Sequence, residues 1–211
     1  MSPVVLVALV LLAGNPVAEK TTVLAGLQAW LDGTTTLDMR FRQSLVSGAL
    51  GTTATESGRL YLERPGKLRW DYLDPEKKIA LLLGDRTALY LEDERTLSRG
   101  RLSGEQGSFP RLLAGGDRID AFFAATLLST PSTGGRGAYR LKLVPKADHG
   151  ALTEVTLTLR PPTFAIEAAE LLDETGNRTS YTFSNVRRNR GLPEGLFAFE
   201  PPPGTEVVDE R

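Results

Sequence analysis

The chain of 211 residues is long enough to form one domain with a hydrophobic core and does not require two. Its formal net charge of −1 argues against nucleic acid or an anionic membrane surface as a partner. The absence of cysteine excludes disulfides and Cys-based zinc sites, and a single histidine leaves few routes to a metal site or a histidine-based acid and base.

The N-terminus has the composition of a secretory signal peptide. The ten apolar residues "VVLVALVLLA" at 4–13 are too few to span a bilayer, which takes about 20. They match the apolar region of a signal peptide, and we expect 1–18 to be that peptide, with cleavage after Ala18 or Ala13. No Lys or Arg precedes the run, so a buried strand or short buried helix is the alternative. Asn15 stands where a lipidated cysteine would follow "LLAG", which predicts a soluble mature chain, 19–211, forming a single domain.

The first elements after the signal peptide are a helix and a strand. Residues 19–31 place apolar side chains at helical spacing, and Asp32-Gly33 ends the pattern. Residues 36–46, "TLDMRFRQSLV", alternate apolar and polar side chains and predict a half-buried strand. A loop rich in glycine and threonine is predicted at 48–57.

A meander of short strands follows. The segments joined by turn-like sequences are 58–64, 67–73, 78–83, 87–92 and 95–99. Such short connections predict antiparallel neighbours.

The middle of the chain loses the two-residue period. A helix is predicted at 108–116 and a second at 117–129, where Ile119, Phe122 and Phe123 begin an apolar stripe and Asp117 is a plausible N-cap. After a linker, strands are predicted at 138–144, 152–159, 164–173, 178–186 and 196–199. Antiparallel strands with segregated helices indicate an α+β architecture, with helices capping one face or mouth of a curved sheet.

Catalytic motifs are missing from the sequence. We find no G-x-S-x-G elbow, P-loop, G-x-G-x-x-G or H-E-x-x-H. His149 lies in a predicted turn, and acidic pairs such as Asp93/Glu94 lie at predicted hairpin tips, where solvated charges are expected. We therefore expect no enzyme, no catalytic residues and no metal site.

The stretch "YLERPGKLRWDY" at 61–72 raises a different question. Strand parity places Arg64 on the same face as Leu60 and Leu62, where a charge needs partners. The inward-facing apolar side chains either fill a compact core or line an apolar cavity under a helical cover, and periodicity does not separate the two. These side chains are Leu60, Leu62, Leu68, Trp70, Tyr72, Leu89 and Leu91 on strands, with Trp30, Phe122 and Phe123 on helices.

Residues 58–99, "GRLYLERPGKLRWDYLDPEKKIALLLGDRTALYLEDERTLSR", resemble the LolA family of periplasmic lipoprotein carriers. The family shows an Arg-Pro immediately before a strand that ends in Trp. Further along, "PRLLAGGDRIDAFF", "YRLKLVPKADHGALTEVTLTL" and "FSNVRRNRGLPEGLFAFEPPPGTEVVD" resemble later family segments in the same order.

The resemblance implies an open, incomplete antiparallel β-barrel of about 10–11 strands with a lid of about three α-helices. It implies a monomer that carries the acyl chains of lipoproteins across the periplasm, from the inner-membrane LolCDE ABC transporter to the outer-membrane acceptor LolB. No cofactor is implied, since any ATP is consumed by the transporter.

Two alternatives stay open. A sensor of mislocalised lipoproteins would carry a second domain, and the chain ends at Arg211 directly after the first; a carrier of another amphiphile, such as a glycolipid, is the other.

The resemblance also implies site roles. Arg64, with Pro65, would be the lid latch, a name we use for a side chain that binds lid backbone carbonyls and holds the lid shut. Leu68 and Trp70 would face the cavity, which we expect to comprise Leu60, Leu62, Leu68, Trp70, Tyr72, Leu89 and Leu91. The expected lid-helix residues are Leu27, Trp30, Leu31, Phe122 and Phe123.

Overall fold

The computed structural model describes residues 16–101, 108–114, 118–131, 137–146 and 152–209. Over these residues the elements are, in chain order, α1 (Pro16–Asp32), β1 (Thr36–Val46), β2 (Thr53–Glu63), β3 (Lys67–Asp74), β4 (Lys78–Leu83), β5 (Arg86–Leu91), β6 (Thr96–Arg101), α2 (Ser108–Ala114), α3 (Ile119–Phe122), β7 (Phe123–Ser129), β8 (Tyr139–Pro145), β9 (Leu152–Arg160), β10 (Ala165–Asp173), β11 (Arg178–Arg188) and β12 (Glu206–Asp209). Residues 1–15, Asp117 and His149 lie outside the described residues, so the structure does not test the predicted signal peptide or cap. Within the described ranges, no helix has both the length and the apolar character needed to cross a membrane.

The described strands form one sheet of twelve, in the order β12-β6-β5-β4-β3-β2-β1-β11-β10-β9-β8-β7. Neighbouring strands run antiparallel, except that β12 runs parallel to β6. The strands at the two ends of this order, β12 and β7, do not pair with each other, so the sheet is open. The α+β class and the open antiparallel sheet are confirmed, whereas the expected count of 10–11 strands is too low.

The longest strands lie at the centre of the sheet. In β1, Leu37, Met39 and Phe41 are buried while Arg40 and Arg42 are exposed, as the alternation predicts. The predicted loop at 48–57 is too long, because β2 begins at Thr53 and pairs it with Val46. The actual turn is closed by the Ser47 N–H, which donates to the Thr52 carbonyl at 2.9 Å.

The core lies on one face of the sheet, which we call the inner face. It is the face that carries Leu37, Leu62 and Leu68, which stand opposite one another on β1, β2 and β3, and Leu60 and Trp70 beside them. The buried cluster on this face includes four side chains of α1, namely Val23, Leu27, Trp30 and Leu31. Each fully buried side chain of this size contributes about 1.5–3 kcal/mol, so this face stabilises α1 against the sheet.

The prediction of a helix over 117–129 is wrong for most of that segment. Helix α3 covers only Ile119–Phe122, and Phe123–Ser129 is strand β7, which pairs with β8. The apolar residues fit both periods, since Ile119, Phe122 and Phe123 suit a helix while Phe123, Ala125 and Leu127 alternate. Pairing with β8 decides between them, because it pairs the backbone of residues 123–127 and of Ser129 with that of β8.

The C-terminal segment also differs from the prediction. Residues 196–199 form a turn and extended chain rather than a strand, and they lie on the outer face, opposite the inner one. There the Phe199 ring lies 5.1 Å from the Tyr90 ring, and Arg69 Nη1 donates to the Leu196 carbonyl at 2.7 Å. The strand in this region is β12. Its four side chains are all exposed, so the sequence there shows no alternation of apolar and polar residues that would predict a strand.

Candidate functional site

The floor of the candidate site is formed by β2 and β3. Leu60 stands opposite Trp70 and Leu62 opposite Leu68, which gives four large apolar side chains on the inner face. The three leucines are 0% exposed and Trp70 is 8% exposed. The floor is therefore apolar and covered.

Helix α2 covers this floor. It packs against β2 and β3, and its Phe109, Leu112 and Leu113 are buried in the same cluster as the floor leucines. At the start of the helix, the Phe109 ring stacks on Tyr181 of β11 with 5.8 Å between ring centres. The helix thus extends across the inner face from β11 to β2 and β3.

The end of α2 is held by Arg64, at the turn between β2 and β3. Arg64 Nη2 donates to the Leu113 carbonyl at 2.7 Å, and the Arg64 backbone N–H donates to the Thr35 carbonyl at 2.8 Å. Burial lowers the pKa of the guanidinium, and Arg188 nearby lowers it further, while Asp32 opposes both. Strand parity places Arg64 on the apolar side, and the structure shows it bound to a helix carbonyl there.

A second arginine, Arg188, holds α1, and the sequence did not single it out. Arg188 Nε donates to Thr34 Oγ1 at 2.7 Å and Arg188 Nη2 donates to the Trp30 carbonyl at 3.2 Å. The guanidinium also lies 5.9 Å from the centre of the Trp30 ring. Arg188 therefore binds the last turn of α1 as Arg64 binds that of α2.

Neighbouring side chains make further polar contacts at α1 and join it to α3. Asn189 Nδ2 donates to the Gly33 carbonyl at 2.8 Å, and Asn189 Oδ1 accepts from the Thr35 N–H at 2.8 Å. Gln28 of α1 accepts a hydrogen bond from the Ile119 N–H at 2.9 Å, at the start of α3. Polar contacts thus fix the ends of all three described helices beside the apolar floor.

The opposite end of the inner face carries a polar cluster. The Tyr72 hydroxyl donates to Gln43 Oε1 at 3.1 Å, and Lys78 Nζ lies 4.4 Å from the centre of the Tyr72 ring and pairs with Glu56. Burial raises the pKa of Tyr72, with smaller contributions from Tyr181 and Glu56. Burial and the Glu56 charge raise the pKa of Tyr181 to about 12. Both phenols therefore stay neutral at physiological pH.

Stability should fall above pH 10, and Tyr181 should account for part of the loss. Its pKa rises from 10.0 to about 12 on folding, so its contribution is complete below pH 10 and is lost as pH rises toward 12. The free energy of unfolding should fall between pH 9 and pH 11 in both proteins. The fall should be about 1 kcal/mol smaller in Tyr181→Phe than in the parent, because phenylalanine does not ionise. Urea titrations at both pH values measure this difference. Equal losses in parent and variant would contradict the role of Tyr181.

The structure brings most of the predicted site residues together. Those in one buried cluster are Leu27, Trp30, Leu31, Leu60, Leu62, Leu68, Trp70 and Phe123, and Tyr72 packs against it. Pro65 is exposed in the turn beside Arg64. Their roles in a cavity or lid stay predictions.

Four placements differ from the prediction or qualify it. Phe123 is the first residue of β7, so assigning it to a lid helix is wrong; Phe122 ends α3 but is 39% exposed rather than directed into the core. Leu89 shares the inner face, standing opposite Ala80, which stands opposite Trp70. It is nevertheless 38% exposed, and Leu91 is only half-buried. The apolar inner face thus continues on β5 beyond the part that α2 covers.

The described part of the chain contains no group of three or more acidic, histidine or cysteine side chains placed to hold a metal ion. What it does contain is an apolar surface and helices held over it by arginines.

Residues 32–200 match the family model "Outer membrane lipoprotein carrier protein LolA". The chain belongs to the LolA family. It is 32% identical over 193 residues to an outer-membrane lipoprotein carrier protein of Methylococcus capsulatus, covering 91% of this chain and 90% of the relative. It is 30% identical over 207 residues to one of Chromobacterium violaceum, covering 96% and 95%. The resemblance seen in the sequence is confirmed.

The fold is also shared with solved structures. An uncharacterized conserved protein from Thermus thermophilus aligns with a TM-score of 0.58 at 13% identity, covering 91% of this chain and 99% of that one. At that identity the likeness shows the fold alone. The region matched to LolA contains Arg64, Trp70, helix α2 and Arg188, so the whole arrangement lies within the family's segment.

Proposed function

We propose that this LolA-family protein is a periplasmic carrier that shields the acyl chains of lipoproteins on its inner face, beneath α1 and α2. Each acyl CH₂ removed from water contributes about 0.8 kcal/mol, so an apolar surface is the appropriate chemistry for the cargo. The carrier relatives and the family model support the proposal. No covalent step is required of the protein, which accords with its family and with the lack of catalytic motifs.

The single observation that carries the proposal is the hydrogen bond from Arg64 Nη2 to the Leu113 carbonyl. A carrier without an energy source must release its cargo, so its closed state must be only modestly more stable than its open state. One hydrogen bond from a charged group contributes about 1.5–3 kcal/mol, which is the size such a switch needs. We assign α2 as the lid and Arg64 as its latch.

The proposed route follows the family. The protein would be exported by the signal peptide at 1–18, accept its cargo from LolCDE in the inner membrane, and deliver it as a monomer to LolB at the outer membrane. The exposed apolar side chain of Leu89, which continues the floor, would be the first surface that an acyl chain meets on entry or the last on exit.

Mass spectrometry tests the proposal. The full chain is expressed for export to a bacterial periplasm, purified without detergent and analysed under native conditions. We expect triacylated lipoproteins or peptides bound to a chain that has lost residues 1–18. Bound glycolipid alone would favour a carrier of another amphiphile, and an unprocessed chain in the membrane fraction would contradict a soluble periplasmic carrier.

Leu89→Asp should reduce the amount of co-purified lipid several-fold. Leu89 is already 38% exposed, so the folded protein tolerates a carboxylate there, but acyl chains packed on it would bury the charge without a partner. Leu128→Asp is the matched control, because Leu128 is 47% exposed and lies on β7. Equal lipid in both variants would remove Leu89 from the cargo path.

A further inference from the structure

Trp70 carries a buried hydrogen-bond donor with no acceptor. Its side chain is 8% exposed, and Nε1 is buried with no hydrogen-bond partner among the described residues. An indole N–H can only donate, and a buried donor without an acceptor destabilises the folded state. Buried tryptophans normally find a partner for this group.

The surroundings of Trp70 explain why no acceptor is close. Directly opposite on the neighbouring strands are Leu60 and Ala80, which have no polar side-chain atoms. On its own strand, Leu68 and Tyr72 share its face, and the Tyr72 hydroxyl is already bonded to Gln43. The backbone groups of β2, β3 and β4 are engaged in the sheet. Phenylalanine would fill an apolar floor without leaving a donor unpaired, so packing alone does not account for a tryptophan here.

We propose that Trp70 Nε1–H donates a hydrogen bond to the carbonyl oxygen of an ester or amide that joins an acyl chain to its lipoprotein. This inference rests on the proposed function, and it deepens it by assigning a recognition role to one residue. Acyl chains themselves offer no acceptor, whereas the carbonyl at the head of each chain does. A donor placed within the apolar floor can meet that oxygen only when the chain lies along the inner face.

The consequence is chemical specificity. The protein discriminates acyl chains, which have a carbonyl, from alkyl ether chains of the same length, which lack it. A site that hydrogen-bonds a ligand group rejects an analogue without that group, because the donor is then left unpaired in the complex. Apolar packing on Leu60, Leu62 and Leu68 treats the two ligands alike.

The test compares two probes with the full mature chain. One is a short peptide whose N-terminal cysteine carries a glyceryl group on its sulfur, with two palmitoyl chains joined to that group by ester bonds. The other is the analogue in which two hexadecyl chains are joined by ether bonds. We expect the parent to bind the ester probe about three- to tenfold more tightly, the range that a single net hydrogen bond gives. In Trp70→Phe this ratio should fall to about one.

Trp30→Phe is the matched control. Trp30 is the other tryptophan of the chain, 6% exposed in the same cluster, and its Nε1 is not among the buried unpaired atoms of the described residues. Trp30→Phe should weaken both probes equally and leave the ratio unchanged. Because the ether probe reports lost packing alone, the ratio isolates the N–H of Trp70.

The outcomes separate the role of Trp70 from the carrier function. If both probes bind equally to the parent, or if Trp70→Phe keeps the ester preference, the role of Trp70 is refuted while the carrier function stands. If neither probe binds, the carrier function itself fails. Should Trp70→Phe not fold, indole ¹⁵N–¹H NMR of the parent decides: the Trp70 indole proton should move downfield with the ester probe and not with the ether probe, and equal shifts with both would overturn the proposal.

Discussion

Arg64→Leu should open helix α2 while leaving the sheet folded. The substitution removes the hydrogen bond to the Leu113 carbonyl, which contributes about 1.5–3 kcal/mol to closure, so the open population should rise about 10- to 100-fold. Global stability should change little, because burying a guanidinium is costly and Arg64 Nε is buried without a partner among the described residues. Hydrogen exchange of peptides covering 108–114 measures the opening, and transfer of a bound acylated peptide to vesicles measures its effect on cargo.

Arg42→Leu is the control for this experiment. Arg42 is an exposed arginine of β1 on the outer face, so its replacement changes the charge equally without touching α2. Only Arg64→Leu should speed exchange in α2 and alter transfer. If the two variants exchange and transfer alike, Arg64 is not the latch.

Gly58→Ala should destabilise the fold by about 3 kcal/mol, at the upper end for overpacking in a core. A Cβ added to Gly58 would lie 1.9 Å from the Asp71 carbonyl oxygen and 3.0 Å from the Phe41 ring. The carbonyl belongs to the backbone of β3, so relief requires a shift of a central strand. Gly58 lies where the pairing of β2 with β3 shifts register, next to Ser57.

Urea denaturation compares this variant with Gly191→Ala. A Cβ at Gly191 would meet nothing within 4 Å, so that variant should keep the stability of the parent. A loss of under about 1 kcal/mol for Gly58→Ala would mean that β2 and β3 separate more easily than their close approach indicates.

The predictability of the fold varied with the strength of the local pattern. Strands β1 and β4 begin and end where the alternation and turn residues predict. The apolar residues of β7 fit the helical period as well as the strand period, and only its tertiary partner β8 decides between them. β12 has no apolar alternation to recognise, since it pairs only at one edge with β6.

The candidate site shows the same contrast between local and distant information. The side on which Arg64 lies is predictable, because Arg64 directly follows β2 and keeps the parity of Leu60 and Leu62. The side on which Arg188 lies is not predictable, because the predicted strand ends at residue 186 and the pairing of β11 with β1 contains a register irregularity that breaks simple parity counting. The sequence does offer one signal, the adjacent arginines in "NVRRNR". Neighbours on a strand point to opposite faces, so one of the two arginines must lie on the inner face.

The pairing of β1 with β11 also has a consequence for folding. Strands β1 to β6 pair with neighbours next to them in the chain, as do β7 to β11, so each run forms from local hairpins. Among the described strands, only the β1–β11 pairing joins the runs. The hydrogen bond beside it, from the Thr35 N–H to Asn189 Oδ1, joins positions 154 residues apart. While the chain is made N-terminus first, β1 therefore keeps an unpaired edge until residues 178–188 are available. That open edge is a site for aggregation, so the nascent carrier itself needs protection before it can protect any cargo.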